Sequence, residues 1–145
     1  MPQQFSAGDV SVSVPDGWGQ IASPDGGLIL RSPDDRQQVS VSISQLQSDP
    51  SFDEFKRICA IRLQAERQQL VDGAIEPNPV PFQQGNFYGL VYTGVDRKTR
   101  RIFSTYLLSE TGELITLYLE SFAVHPSQHT DTFKTLIANL KRIRP

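Results

Sequence analysis

Three runs rich in aromatic and β-branched residues, Phe87 to Val95, Arg101 to Ser109 and Glu113 to Phe122, follow one another across connectors of a few residues. Strands joined this closely can pair only as antiparallel neighbours, because a parallel crossover needs about a dozen residues or more. The connectors Asp96-Arg97-Lys98-Thr99 and Glu110-Thr111-Gly112 are of the kind that closes hairpins, so the runs are read as a three-stranded meander. The rest of the chain must pack around that sheet.

Upstream, Val10, Val12 and Val14 alternate with Ser11 and Ser13, which puts three valines on one face of a strand, and Pro15-Asp16-Gly17 turns the chain. Gly27 to Arg31 is separated by Ser32-Pro33-Asp34-Asp35 from a run in which Val39, Val41 and Ile43 alternate with Ser40, Ser42 and Ser44. These predict a hairpin with one serine-lined face. At Ser51 the period becomes helical. Ser51 and Glu54 form a capping box, and Asp53 and Glu54 suit the helix dipole. Phe52, Phe55, Cys59, Leu63 and Leu70 fall on one arc that packs on the sheet, while Ile58, Ile61 and Ala65 form a second stripe. That second stripe either meets another element of the chain or serves as a partner surface, and it is the candidate homodimer surface. Asp72-Gly73 ends the helix, and Pro77, Pro79, Pro81 and Gly85 make residues 74–86 an extended edge or connector. A last helix from Ser127 to Ile143 presents Phe133, Leu136, Ile137, Leu140 and Ile143 on one face, with Lys141, Arg142 and Arg144 at its end. The expected fold is α+β, an antiparallel sheet between helices.

At 145 residues, 38% apolar and 21% charged, with no internal repeat or linker, residues 1–145 read as one globular domain. No stretch approaches the roughly 20 apolar residues of a membrane span, and Met1-Pro2-Gln3-Gln4-Phe5 lacks a signal-peptide pattern. The expectation is a cytoplasmic protein without membrane insertion. A net charge of −2 and the absence of the aromatic signature of an RNA-reading sheet argue against nucleic acid.

A search for chemistry returns little. His125 and His129 stand four apart near Asp131, but a metal site needs further ligands, and a pair at a helix start reads as solvated. Cys59, the single cysteine, lies on the apolar arc and reads as a core thiol. Asp25-Gly26-Gly27 lacks the lysine of a phosphate loop, and the basic run Arg97-Lys98-Thr99-Arg100-Arg101 reads as a solvated hairpin tip. No catalytic residue, metal or cofactor is expected. The meander itself offers a surface. If pairing keeps residue parity, the odd face carries Phe87, Val91, Phe103, Leu107, Ile115, Leu117 and Leu119 as core, and the even face gathers all four tyrosines. The candidate partner-binding residues are therefore Tyr88, Tyr92, Ser104, Tyr106, Leu108, Thr116 and Tyr118, on a groove that accepts an apolar segment of a protein client.

The order of elements resembles the PsbP/Mog-like α/β/α sandwich. Val12-Ser13-Val14-Pro15-Asp16-Gly17-Trp18 is similar to the opening of DcrB-like domains, and Ser40-Val41-Ser42-Ile43-Ser44 followed by Ser51-Phe52-Asp53-Glu54-Phe55 is a second echo of the sandwich. In size the chain looks like the cytoplasmic Eag-type chaperones of type VI secretion effectors, although Gln45-Leu46-Gln47 stands where those chaperones often carry an arginine. The resemblance implies a non-catalytic chaperone or adaptor whose sheet cradles apolar segments of an effector. An immunity protein for a toxic effector is the alternative, and a small hydrolase a more distant one.

Overall fold

The structure, a computed structural model, describes residues 3–8, 10–23, 27–48, 50–75, 81–84, 87–110, 112–138 and 140–142. Its elements in chain order are β1 (Gln3–Ala7), β2 (Val10–Val14), β3 (Gly19–Ile21), β4 (Leu28–Arg31), β5 (Gln37–Gln45), α1 (Phe52–Gln68), β6 (Gly73–Ile75), β7 (Phe82–Gln84), β8 (Phe87–Asp96), β9 (Arg101–Glu110), β10 (Glu113–Phe122), α2 (Pro126–Ala138) and β11 (Lys141–Arg142). The meander β8-β9-β10 forms the heart of an eight-stranded antiparallel sheet in the order β3-β4-β5-β10-β9-β8-β6. Strand β7 joins the outer edge of β8 at Phe87–Gly89, and β6 joins the same edge at Gly94–Asp96. The expected extended edge at 74–86 is therefore present on both sides of residues 76–80 and 85–86, where Pro77, Pro79 and Gly85 lie outside the described residues. The β4-β5 hairpin pairs Leu28 with Val41 and Ile29 with Ser40, as its alternation predicts.

The two hairpin connections of the meander decide which residues share a face. Four residues separate Asp96 from its partner Arg101, and two separate Glu110 from Glu113. An even number of loop residues places an odd position opposite an even one, so parity inverts at each turn. The expected conservation of parity fails for that reason, with no bulge involved. Even positions of β8 and β10 share a face with odd positions of β9, and the middle strand is reversed relative to the expectation.

Each face carries its own core. On one, α1 sets Phe55 and Cys59 against Leu90, Tyr92, Phe103, Leu107 and Leu114. On the other, Phe133 and Leu136 of α2, with β2 and Trp18, cover Leu28, Leu30, Val39, Val41, Leu117 and Leu119. Helices on opposite faces of a largely antiparallel sheet complete the α/β/α layering.

Helix α1 starts as predicted, with the Glu54 N–H donating to Ser51 Oγ at 3.2 Å. It stops at Gln68, short of Val71, because the Gln69 N–H closes on the Glu66 carbonyl at 3.1 Å and the Leu70 N–H on the Arg67 carbonyl at 3.2 Å. The next two N–H groups are claimed by a carboxylate. Asp96, buried in β8, accepts from Val71 N at 3.0 Å, Asp72 N at 3.3 Å and Lys98 N at 3.1 Å. The Val71 N–H first, with those of Asp72, Thr99 and Lys98, holds its carboxyl below the usual range.

Two features lie beyond the sequence reading. A second sheet, β1-β2-β11, pairs Gln3–Ala7 with Val14–Val10 and Lys141 and Arg142 with Ser11 and Val10. Strand β2 is buried throughout, serines included. The last helix correspondingly ends at Ala138 instead of Ile143, because the chain after Leu140 is taken up as a strand on β2, where its backbone finds ladder partners. Lys141 and Arg142 therefore do not cap a helix end, and Ile143 and Arg144 lie outside the described residues.

Candidate functional site

The parity inversion splits the expected tyrosine face. Tyr88, Tyr92, Thr116 and Tyr118 lie on the α1 side, whereas Ser104, Tyr106 and Leu108 lie on the α2 side. Helix α1 covers much of the first group. Tyr88 packs its ring against Phe55 at 5.7 Å and Phe52 at 5.6 Å, and Tyr92 is 1% exposed. Burial pushes the Tyr92 phenol up to about 12. A single open groove holding all seven residues is thus excluded by the register and by α1.

Tyr118 ends in a small charged cluster. Arg101 Nη1 donates to the Tyr118 hydroxyl at 3.2 Å, that hydroxyl donates to Glu120 Oε2 at 3.2 Å, and Arg101 and Glu120 are 3.6 Å apart. Arg101 also lies over the Phe103 ring, 4.8 Å from its centroid. The basic run is therefore divided: Arg97, Lys98 and Arg100 are exposed at the hairpin tip, and Arg101 turns back into the protein. Burial, then the Glu120 carboxylate, pushes the Tyr118 phenol upward.

On the α2 side the helix and the small sheet cover β4, β5 and β10 but leave the strip along β7 and β8 open. Phe82, Val91 and Val95 are 40%, 37% and 43% exposed. The Phe82 ring lies over Gly89, where any Cβ would collide with it. Across the ladder Val91 faces Tyr106, Val95 faces Ile102 and Gly89 faces Leu108, and these three partners are half-buried. Tyr106 and Leu108 thus border an apolar strip, although not the one expected.

Ser104 is held differently. Its hydroxyl is 2.8 Å from His129 Nε2 and 2.8 Å from Thr93 Oγ1, and His129 Nδ1 is 2.7 Å from Ser121 Oγ. The chain of bonds continues through Gln37 Nε2, 3.1 Å from Ser121 Oγ, to Thr132, whose hydroxyl donates to Gln37 Oε1 at 3.3 Å. His129 is 2% exposed, so the reading of a solvated pair is corrected for this residue; burial pulls its pKa down to about 4. The Ser104–His129 pair has the spacing of a nucleophile and base, but both are sealed between α2 and the sheet, where they satisfy each other. His125 is exposed and caps α2, accepting the Ser127 N–H at 3.1 Å.

Cys59 is buried, and desolvation pushes its thiol up to about 12, as a core residue requires. The second stripe of α1 is not one surface. Ile58 packs into the α1-side core, while Ile61, 66% exposed, and Ala65 line a shallow outer groove. A wider cleft of about 590 Å³ gathers the turns at Asp16 and Asp34 and the start of α2 at Asp131. Among the described residues no three His, Cys, Asp or Glu side chains come together as a metal group, and no helix is long and apolar enough to cross a membrane.

The fold has solved counterparts. The cyanobacterial PsbP (CyanoP) from Synechocystis superposes with a TM-score of 0.70 over 97% of this chain and 92% of its own, at 19% identity. The chain has a PsbP-like fold. LpqN of Mycobacterium tuberculosis, described as involved in cell envelope biogenesis, matches at a TM-score of 0.62 and 15% identity, over 97% of this chain and 90% of its own. A Bacteroides thetaiotaomicron protein matches at 0.62 and 10% identity, over 97% of this chain and 48% of its own. No protein-family model and no curated protein matches the chain. Within the PsbP-like fold, Trp18 of the opening motif is buried beside β2, α2 and β4 in the α2-side core.

Proposed function

We propose that this chain is a non-catalytic protein-binding module that holds an apolar segment of a protein partner against the strip of Phe82, Val91 and Val95. The observation that carries this reading is their exposure, 40%, 37% and 43%, side by side on the α2 face of the sheet; Phe122, 39% exposed, stands apart at the end of β10 on the other face. Contiguous apolar surface on a folded domain marks contact sites, and aromatic and branched side chains held on strands lose little freedom when a partner covers them. Tyr106 and Leu108 at the inner border supply a wall against which the apolar face of a helical segment can lie. The finer reading, a cytoplasmic chaperone or adaptor for a secretion-system effector, is supported by the resemblance of residues 12–18 to the opening of DcrB-like domains and of the chain's size to Eag-type chaperones.

The test is fluorescence anisotropy with a labelled amphipathic helical peptide carrying leucines at helical spacing. The wild type should bind it saturably. The Val91→Ser, Val95→Ser double variant should bind about tenfold more weakly, a loss of about 1.4 kcal/mol, without a lower melting temperature. Equal binding by the two proteins, or no saturable binding by the wild type, rejects the reading.

A further inference from the structure

Helix α1 meets the sheet with its apolar arc over β8 and β9, and beside that arc it stands off the sheet over β5 and β10. The gap is a cleft of about 390 Å³, within the size range of small-molecule sites, about 300–1,000 Å³. Its outer wall is Arg62 and Glu66 of α1 with Gln69 at its C-cap, at a spacing that keeps one helix face. Its inner end is the Arg101–Tyr118–Glu120 cluster, whose charged side chains are only 15% and 21% exposed. The floor between them is Ser40, Ser42 and Thr116, short hydroxyl side chains from adjacent strands.

Leaving this arrangement between a helix and a sheet is costly. Partly buried charges lose hydration, and a hydrophobic filling of the same gap would fold at least as well. Burial pushes the Glu66 carboxyl upward, with Arg101 and Arg62 working against the rise. A concave polar site that the protein's own apolar side chains leave unfilled is the kind of feature a ligand occupies.

We propose that this cleft binds a small polyhydroxyl ligand, a monosaccharide or cyclic polyol. Two arginines and two glutamates line it, so its charges balance and neither a simple anion nor a simple cation is favoured. A ligand hydroxyl is both donor and acceptor. Set between a guanidinium and a carboxylate it accepts from the first and donates to the second, as the Tyr118 hydroxyl does between Arg101 and Glu120, and Arg62 and Glu66 bring the same two groups to the outer wall. The serine and threonine hydroxyls of the floor match further ligand hydroxyls, which also act as donor and acceptor. The proposal is independent of the apolar strip, which lies on the opposite face of the sheet.

Titration of the isotope-labelled protein with glucose, galactose, N-acetylglucosamine and myo-inositol, followed by two-dimensional amide NMR to about 50 mM, tests it. At least one should give saturable shifts confined to residues 40–42, 62–69, 101–105 and 116–120. Arg62→Ala, at an exposed helix position, should weaken that binding at least tenfold while leaving the melting temperature unchanged, and Thr116→Val should weaken it without moving the remaining spectrum. No saturable shift from any of the four, shifts of the same residues by glycine or phosphate alone, or undiminished binding by Arg62→Ala overturns the proposal.

Discussion

His129 is neutral in the folded protein because it is enclosed between Ser104 and Ser121, and its depressed pKa of about 4 links it to stability. The unfolded chain, with an ordinary histidine pKa of about 6.5, binds the extra proton first. The stabilising contribution is therefore full above about pH 6.5 and is lost as the pH falls towards about 4, amounting to roughly 3 kcal/mol. Urea unfolding across that window should show a steeper loss for the wild type than for His129→Gln, and identical slopes would contradict the role given to burial. At the same scale, Cys59, with its thiol pushed up to about 12, should resist alkylation by iodoacetamide at pH 8 in the native protein and react once urea unfolds it. Rapid native labelling would place the thiol outside the core. The cysteine was legible in the sequence because its apolar helical spacing is a local property. The histidine was not, because its partners Ser104 and Ser121 belong to strands that only the sheet register brings beneath α2.

Elements that announce themselves locally were the readable ones. The Ser51 cap, the Phe52–Cys59 arc and the three meander strands follow from short-range chemistry, and the structure has all of them. The division of the tyrosines depended on counting loop residues: four between β8 and β9 and two between β9 and β10 invert parity, which moved Tyr106 away from Tyr118. The polar residues Arg62, Glu66 and Gln69 drew no notice as sequence, because only the gap between α1 and the sheet gives them a use. Packing depth orders the cost of truncation within the helices. Leu136→Ala, which empties a fully buried position of α2, should cost about 2 to 5 kcal/mol in urea unfolding. Leu63→Ala, half-buried on α1, should cost about 1 kcal/mol. A reversed order would mean that α1, not α2, carries the denser core.

At the scale of the whole molecule, the outward groove of α1 at Ile61 and Ala65 is the surface on which a second copy is expected. Light scattering at micromolar concentration should give a particle near twice 16.2 kDa, and Ile61→Glu should return it to the monomer mass. A monomer in both cases removes self-association from the account. Hydrogen exchange should be slowest in β5, β10 and β9, which have neighbours on both sides, and fastest at the edge strands β3 and β7. The small sheet is the part that no local reading could anticipate, since residues 10–14 take one neighbour from 3–7 and the other from 141–142. That arrangement imposes an order on biosynthesis. The ribosome releases the first strands long before residue 141 leaves its tunnel, so throughout elongation β2 has one ladder edge open and α2, which covers it, does not yet exist. The nascent chain therefore carries an unpaired strand edge, an invitation to aggregation, until residues 141 and 142 emerge, and slowing translation lengthens that interval without helping the domain to close.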